Sequence, residues 1–178
     1  MVYLIKVIDM TKKLIKLLLV VAWMALIFVF SHDTGEVSTK KSDGIIINTM
    51  EFLLERDLTD AEKEKWISYL VVPVRKGAHI ITYFILGYLM ISLLKEFRLI
   101  DKRTFIFAII LCILYSISDE VHQYFVPGRS GEVLDVAIDT IGSCLGIWNW
   151  GYKWKMRERR KELNLLRQRR KKKVISNE

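Results

Sequence analysis

The sequence predicts an all-α, polytopic membrane protein built as a four-span helical bundle. Apolar residues make up 52% of the 178 residues, yet the chain carries a net charge of +8. The two kinds of residue lie in separate segments, which is typical of a membrane protein and unusual for one soluble domain. The predominantly apolar segments are residues 14–30, 78–94, 104–118 and 133–150.

The lengths of these segments and the positions of lysine and arginine favour four spans. The first two segments have about 17 residues, the lower limit for a helix that crosses a bilayer. The third is short, and the fourth contains Asp135 and Asp139. Basic residues are frequent near both termini and in loop 95–103, whereas loop 119–132 contains only Arg129. This alternation predicts a multi-pass protein with both termini in the cytoplasm.

The first outer loop, residues 31–77, is predicted to contain two short amphipathic helices. Ser42 can cap a helix that runs toward Leu54. Thr59 and Glu62 have the spacing of a capping box, which predicts the start of a second helix. Pro73 is expected to end that helix before the second span. Both helices are too polar to span, so we expect them on the outer membrane surface or over the bundle.

We expect one transmembrane domain, residues 1–155, followed by a basic cytoplasmic tail, residues 156–178. The tail is expected to contact anionic lipid, and it lacks the motifs of a nucleic-acid-binding protein. The first span should remain uncleaved, because no small-x-small site follows Phe30. Cys112 and Cys144 lie within spans three and four, where we expect them to pack in the interior rather than form a disulfide or metal pair.

Charged and histidine side chains gather at the predicted outer ends of all four spans. All three histidines of the chain lie on this side, whereas the inner ends carry the lysine and arginine usual for membrane proteins. Ionisable groups at membrane depth are costly and usually functional, so these residues predict a binding site. The candidate ligand-binding residues are Arg75, Lys76, His79, Asp119, Glu120, His122, Gln123, Arg129 and Asp135.

Some of these side chains could also perform catalysis. Histidine and carboxylate groups act as general acids, general bases and metal ligands. The candidate catalytic residues are His79, Asp119, Glu120 and His122. No His-x-x-x-His or Glu-x-x-His pair occurs, so a metal would need ligands from three different helices. Neither a metal nor a cofactor is predicted on this basis.

Other polar and small residues have a structural interpretation. Asp139 is expected to face the bundle interior and bond to neighbouring spans. Gly142 and Gly146 form a Gly-x-x-x-Gly pair, which predicts a close helix approach. Asp119 and Asp135 have an alternative role as partners in buried ion pairs with Arg75 or Arg129 that fix the helix arrangement.

Three segments resemble the VanZ family of bacterial membrane proteins. They are FSHDTGEVS after the first span, RKGAHIITYFILG at the second, and ISDEVHQYFVPGRSGEVLDVAIDTIGSCLG from the third into the fourth. The resemblance covers roughly residues 15–150 and implies a multi-span protein of the bacterial cell membrane. It also implies a link to low-level teicoplanin resistance, but no particular reaction. The chain departs from the family pattern at Ser31-His32-Asp33 and at Thr82.

Three functions are compatible with these observations. The first is a non-enzymatic protein that binds an anionic lipid headgroup or a cell-wall precursor lipid, through the arginines. The second is a membrane-embedded enzyme, acid/base or metal-dependent, that acts on a lipid-linked substrate. The third is a small transporter that uses Asp135 and Asp139. The absence of polar residues deep in spans one and three argues against the third.

Overall fold

The structure, a computed structural model, describes residues 2–97 and 102–175 and contains five helices and no strand within them. Residues 98–101 of the predicted inner loop and residues 176–178 of the predicted tail lie outside this description. The helices are α1 (Val2–Ser31), α2 (Gly35–Leu54), α3 (Asp60–Lys95), α4 (Lys102–Tyr124) and α5 (Val133–Ile175). The predicted all-α class is confirmed for the described part of the chain.

Three of the helices are long and apolar enough to cross a membrane. They are α1 from Lys6 to Ser31, the whole of α3 and the whole of α4. Many of their large apolar side chains are exposed, as a lipid-facing surface requires. Helix α5 does not meet the same criterion of length and composition. Asp135 and Asp139 interrupt its apolar first half, and the rest of it is strongly basic.

The two short helices predicted for the first outer loop are not what the structure contains. Helix α2 begins earlier than expected, because the side chain of Thr34 caps it by accepting a hydrogen bond from the Val37 N–H. Ser42, the expected cap, lies inside the helix and donates to the Ser38 carbonyl at 3.1 Å. The resulting helix has 20 residues.

The second loop helix is continuous with the second span. The capping box of Thr59 and Glu62 is present at the start of α3, as predicted. Pro73, however, lies inside this 36-residue helix and does not end it. A proline removes one backbone hydrogen bond, and helices in membranes tolerate this loss when neighbouring groups satisfy the freed carbonyl.

Helix α3 is the centre of the bundle and packs against each of the other four helices. Its closest neighbour is α5, because glycines of α5 lie against the backbone of α3 along the contact. A Cβ atom added at Gly142 would lie 2.6 Å from the Ile80 carbonyl oxygen, and one at Gly146 would overlap the carbonyl of Phe84. The close approach predicted from the Gly-x-x-x-Gly pair is therefore present. Cys112 is buried in the adjacent core, and both cysteines are free.

Contacts at one end of the bundle give the relative directions of α1, α3 and α5. About halfway along α1, Lys16 donates to the Ser92 carbonyl at 3.1 Å and contacts Glu96 at 2.5 Å, near the end of α3. Lys95 lies over the rings of Trp150 and Trp154 in α5, at 4.5 and 3.6 Å from their centroids. Helices α1 and α3 are thus antiparallel, whereas α3 and α5 run in the same direction. We call this region, residues 13–16, 92–97 and 150–154, the basic end.

Candidate functional site

The opposite end of the bundle brings together charged residues from α1, α3, α4 and α5. We call it the polar end and define it as residues 31–33, 75–79, 119–123 and 135–139. His79 of α3 contacts Asp139 of α5 at 3.0 Å. His32 of α1 and His122 of α4 approach within 3.3 Å. Residues far apart in the sequence therefore meet at one level of the bundle.

Asp139 connects three helices at the centre of the polar end. Its side chain is fully buried. One carboxylate oxygen accepts a hydrogen bond from Ser116 Oγ of α4 at 2.7 Å, and the other lies 3.0 Å from His79 Nδ1. Bonds to neighbouring helices are what the sequence predicted for Asp139. The contact with His79 adds a direct link from this buried carboxylate to the candidate binding residues.

Asp119 is buried with one oxygen unsatisfied. Its Oδ2 accepts from Gln123 Nε2 at 3.0 Å and from the Tyr83 hydroxyl at 3.5 Å. Its Oδ1 has no hydrogen-bond partner within the described residues, although the residue is only 4% exposed. A buried polar atom costs about 1–3 kcal/mol when it has no partner, so this oxygen of a cavity-lining residue is available to a group that can donate to it.

Glu120 is satisfied in a different way. Its carboxylate accepts from the backbone N–H of Glu132 at 2.9 Å and from Gln123 Nε2 at 3.3 Å. The first of these bonds ties the loop before α5 to the end of α4. Gly131 lies against the same place, where an added Cβ would be 2.6 Å from the Glu120 carbonyl oxygen.

The ion pair at the start of α5 involves Lys76 rather than an arginine. Lys76 Nζ contacts Asp135 closely and lies 3.1 Å from Glu132. The ion pairs considered between Asp119 or Asp135 and the two candidate arginines are not formed. For Arg75 the reason is helix geometry, because consecutive positions on a helix point about 100° apart, so Arg75 and Lys76 face different neighbours.

A cavity of about 250 Å³ opens at the polar end between α1, α2, α3 and α4. Both candidate arginines line it, together with His79 and Asp119. No carboxylate lies within ion-pair distance of Arg75 or Arg129 in the described part of the chain. Arg129 instead donates to the Phe30 carbonyl at 3.4 Å. Burial, and after it the positive charge of Arg75, lower the pKa of Arg129 below its usual range.

Part of the cavity wall comes from residues that were not predicted to belong to the site. Helix α2 contributes one face, formed by Ser38, Lys41, Ser42 and Ile45. Their spacing of three, four and seven residues is a sequence signal for a shared face, but nothing in the sequence shows what that face covers. Lys41 pairs with Asp33 at 2.6 Å. The buried Ser31 hydroxyl also lines the cavity and has no partner among the described residues.

His122 is separated from His79. It stacks on Phe28 and His32, with ring centroids 4.4 and 5.5 Å apart. Most candidate residues thus belong to one of three sets. Some line the cavity, Lys76 and Asp135 form an ion pair, and His122 belongs to the aromatic stack. One further grouping crosses three helices, because single donor atoms of His79, Glu120 and Asp139 all lie within 4.8 Å of one another.

Comparison with known proteins gives one match. The model of the VanZ/LLP1 family matches residues 16–154, which include part or all of each helix of the polar end and every predicted site residue. Searches of the curated proteins and of the solved structures returned no match. The match covers most of the chain and spans the three segments whose resemblance to this family was noted in the sequence. The chain therefore belongs to the VanZ/LLP1 family.

Proposed function

We propose that this VanZ-family protein binds an anionic group of a lipid-linked or other cell-envelope ligand in the cavity at its polar end. The observation that carries the proposal is the pair Arg75 and Arg129, which line one cavity without a carboxylate partner within the described residues. Two guanidinium groups that line one partly buried site repel each other, and an anion bound between them removes that cost. Guanidinium groups also bind phosphate in a bidentate manner.

The dimensions of the cavity favour a headgroup over a whole lipid. A volume of about 250 Å³ is slightly below the usual range for drug-sized ligands, which is about 300–1,000 Å³. A phosphate or pyrophosphate fits such a space, while an attached polyprenyl or acyl chain remains in the bilayer. Lys41 adds positive charge at the rim, although Asp33 already neutralises part of it.

The proposed orientation places this cavity at the outer face of the bacterial cell membrane. It treats the first half of α5 as a fourth span and both termini as cytoplasmic. The support is the loop distribution of lysine and arginine and the alternating direction of α3, α4 and α5. At the outer face, a protein that occupies the phosphate of a cell-wall precursor can hinder the binding of a lipoglycopeptide. This is the proposed route to teicoplanin resistance.

Binding of a polyprenyl pyrophosphate to the purified full chain in lipid nanodiscs tests the proposal. Arg129→Gln and Arg75→Gln should each weaken binding at least about tenfold, because each removes a charge-assisted contact. Arg56→Gln is the matched control, since Arg56 pairs with Glu62 at 2.6 Å and does not line the cavity. Equal affinity in all four proteins would exclude the cavity as the anion site. Teicoplanin susceptibility of cells with matched membrane levels should follow the same order.

The second candidate function is an enzyme that acts on a lipid-linked substrate. It is favoured by His79, which lines the cavity and contacts the buried carboxylate of Asp139. A histidine held by a carboxylate is a common general base. Release of phosphate from a polyprenyl pyrophosphate, lost in His79→Gln while binding is retained, would establish this function. Binding without turnover in the wild-type protein would argue for the non-enzymatic function.

A further inference from the structure

Three side chains from three helices converge at one point in the interior of the polar end. His79 comes from α3, Glu120 from α4 and Asp139 from α5, and their donor atoms lie within 4.8 Å of one another. Metal–ligand bonds of about 2.0–2.2 Å allow two ligand atoms of one ion to be at most about 4.4 Å apart. The observed separation therefore requires only small side-chain movements before one ion contacts all three.

Burial distinguishes this cluster from acidic groups on a protein surface. Asp139 is 0% exposed and Glu120 is 6% exposed, and the side chain of His79 is 18% exposed. Two carboxylates and an imidazole in such a position have no bulk water to stabilise them. They must be stabilised by hydrogen bonds, by protons or by a cation.

The protein itself supplies too few cations at this point. Lys76 pairs with Asp135 and Glu132. Asp119 and Glu120 are both buried, and no lysine or arginine of the described residues lies within ion-pair distance of either. The arginines of the cavity are farther away. Among the described residues, Glu120 therefore has no lysine or arginine in contact with it, and Asp139 has only the imidazole of His79. A metal ion at this point would add the direct counter-charge that these buried carboxylates lack.

An independent observation concerns Asp119, which neighbours the cluster without belonging to it. Its Oδ1 is buried without a hydrogen-bond partner, and Asp119 lines the same cavity as His79. A hydrogen-bond donor that enters this cavity can satisfy the atom. A water molecule bound to an ion at His79 is such a group.

We propose that His79, Glu120 and Asp139 bind a divalent transition-metal ion. One imidazole nitrogen and two carboxylate oxygens suit Zn²⁺ or Mn²⁺, whereas Mg²⁺ prefers a shell of oxygen ligands with several waters. The ion neutralises the buried carboxylates, and Ser116 orients Asp139 through its hydrogen bond. This metal site does not depend on the anion-binding function, because it can be measured without any anionic ligand.

The test uses the full chain, purified in detergent, stripped with a chelator and then equilibrated with Zn²⁺, Mn²⁺ or Mg²⁺. The readouts are metal content by mass spectrometry, affinity by calorimetry and the midpoint of thermal unfolding. The wild-type protein should retain about one Zn²⁺ or Mn²⁺ per chain, and the ion should raise its unfolding midpoint. Glu120→Gln and Asp139→Asn should each lower the affinity at least about tenfold.

Glu132→Gln is the control, because Glu132 is an exposed carboxylate of the same region that does not belong to the cluster. It should bind the metal like the wild-type protein. His79→Gln, at a less buried position, serves as a third variant if the two buried substitutions prevent folding. Absence of saturable Zn²⁺ and Mn²⁺ binding to the wild-type protein would overturn the proposal. Wild-type affinity in all cluster variants that fold would overturn it as well.

Discussion

The two ends of the bundle differ in how their charged groups are satisfied. At the basic end, Lys16 contacts both Glu96 and the Ser92 carbonyl, and Lys95 lies over two tryptophan rings. At the polar end, Asp119 retains an oxygen without a partner within the described residues, and Arg129 lines the cavity without a carboxylate partner. Both ends contain lysine and acidic residues, so composition alone does not explain the difference.

The difference indicates which end is built for stability and which for binding. A charged group that already has a partner is not stabilised further by a ligand. A charged group without a partner is stabilised when a ligand binds to it. Proteins commonly accept such local cost at functional sites and compensate for it elsewhere in the fold. The satisfied contacts of the basic end and the close glycine contact between α3 and α5 are where we expect that compensation.

The largest expected effect comes from breaking the contact on which both ends depend. Gly146→Leu would place a side chain where the Phe84 carbonyl already lies, and so force α3 and α5 apart. We expect the free energy of unfolding to fall by about 3 kcal/mol or more. Thermal unfolding in detergent measures this loss, and the amount of protein that reaches the membrane should fall with it.

Gly77→Ala is the matched control for this substitution. Gly77 lies in the same helix α3, and no atom is within 4 Å of a Cβ added there. Alanine is a better helix former than glycine, so the variant should be unchanged or more stable by up to about 1 kcal/mol. Equal destabilisation by both substitutions would show that the α3–α5 contact does not determine stability.

Much of this fold could be predicted from the sequence, because long apolar runs and basic loops are local signals. The capping box at Thr59 and the glycine pair at Gly142 and Gly146 could also be predicted, because residue spacing alone defines each of them. The sequence predicted that a helix ends at Pro73, whereas α3 continues through this residue. The expectation that proline ends a helix comes from helices in water, whereas Pro73 lies in a long helix that packs as a whole against the other four.

The candidate site was only partly predictable, for a related reason. Charged residues in apolar surroundings identified the polar end, but pairing depends on which way each side chain points. Lys76 rather than Arg75 reaches Asp135, and His122 stacks on α1 instead of joining His79. The cavity face of α2 depends on how that helix folds back over the bundle. Such contacts are non-local and leave no short-range signal in the sequence.

A smaller but more informative effect is expected at Asp119. Asp119→Asn removes a buried charge that has no cationic partner in the described part of the chain, while an amide oxygen can still accept from Gln123. We expect stability to be unchanged or to rise by about 1 kcal/mol, which corresponds to about 2–4 °C in a chain of this size. Protection against teicoplanin, measured at matched membrane levels, should be lost. A lower unfolding temperature with intact protection would instead assign Asp119 a structural role.

The smallest effect is expected at the basic end. There Glu96→Gln makes the same change of carboxylate to amide as Asp119→Asn does at the polar end. Glu96→Gln weakens the contact with Lys16, and both side chains are partly exposed, at 25% and 31%. Exposed and half-exposed ion pairs contribute about 1 kcal/mol or less, so we expect a drop in the unfolding midpoint of a few degrees at most. Binding of a polyprenyl pyrophosphate and teicoplanin susceptibility should both match the wild-type protein. If stability is retained and function is lost only for Asp119→Asn, the cause lies in the partner of each carboxylate. Glu96 already contacts Lys16, whereas the free oxygen of Asp119 is available to a hydrogen-bond donor or a cation that enters the cavity.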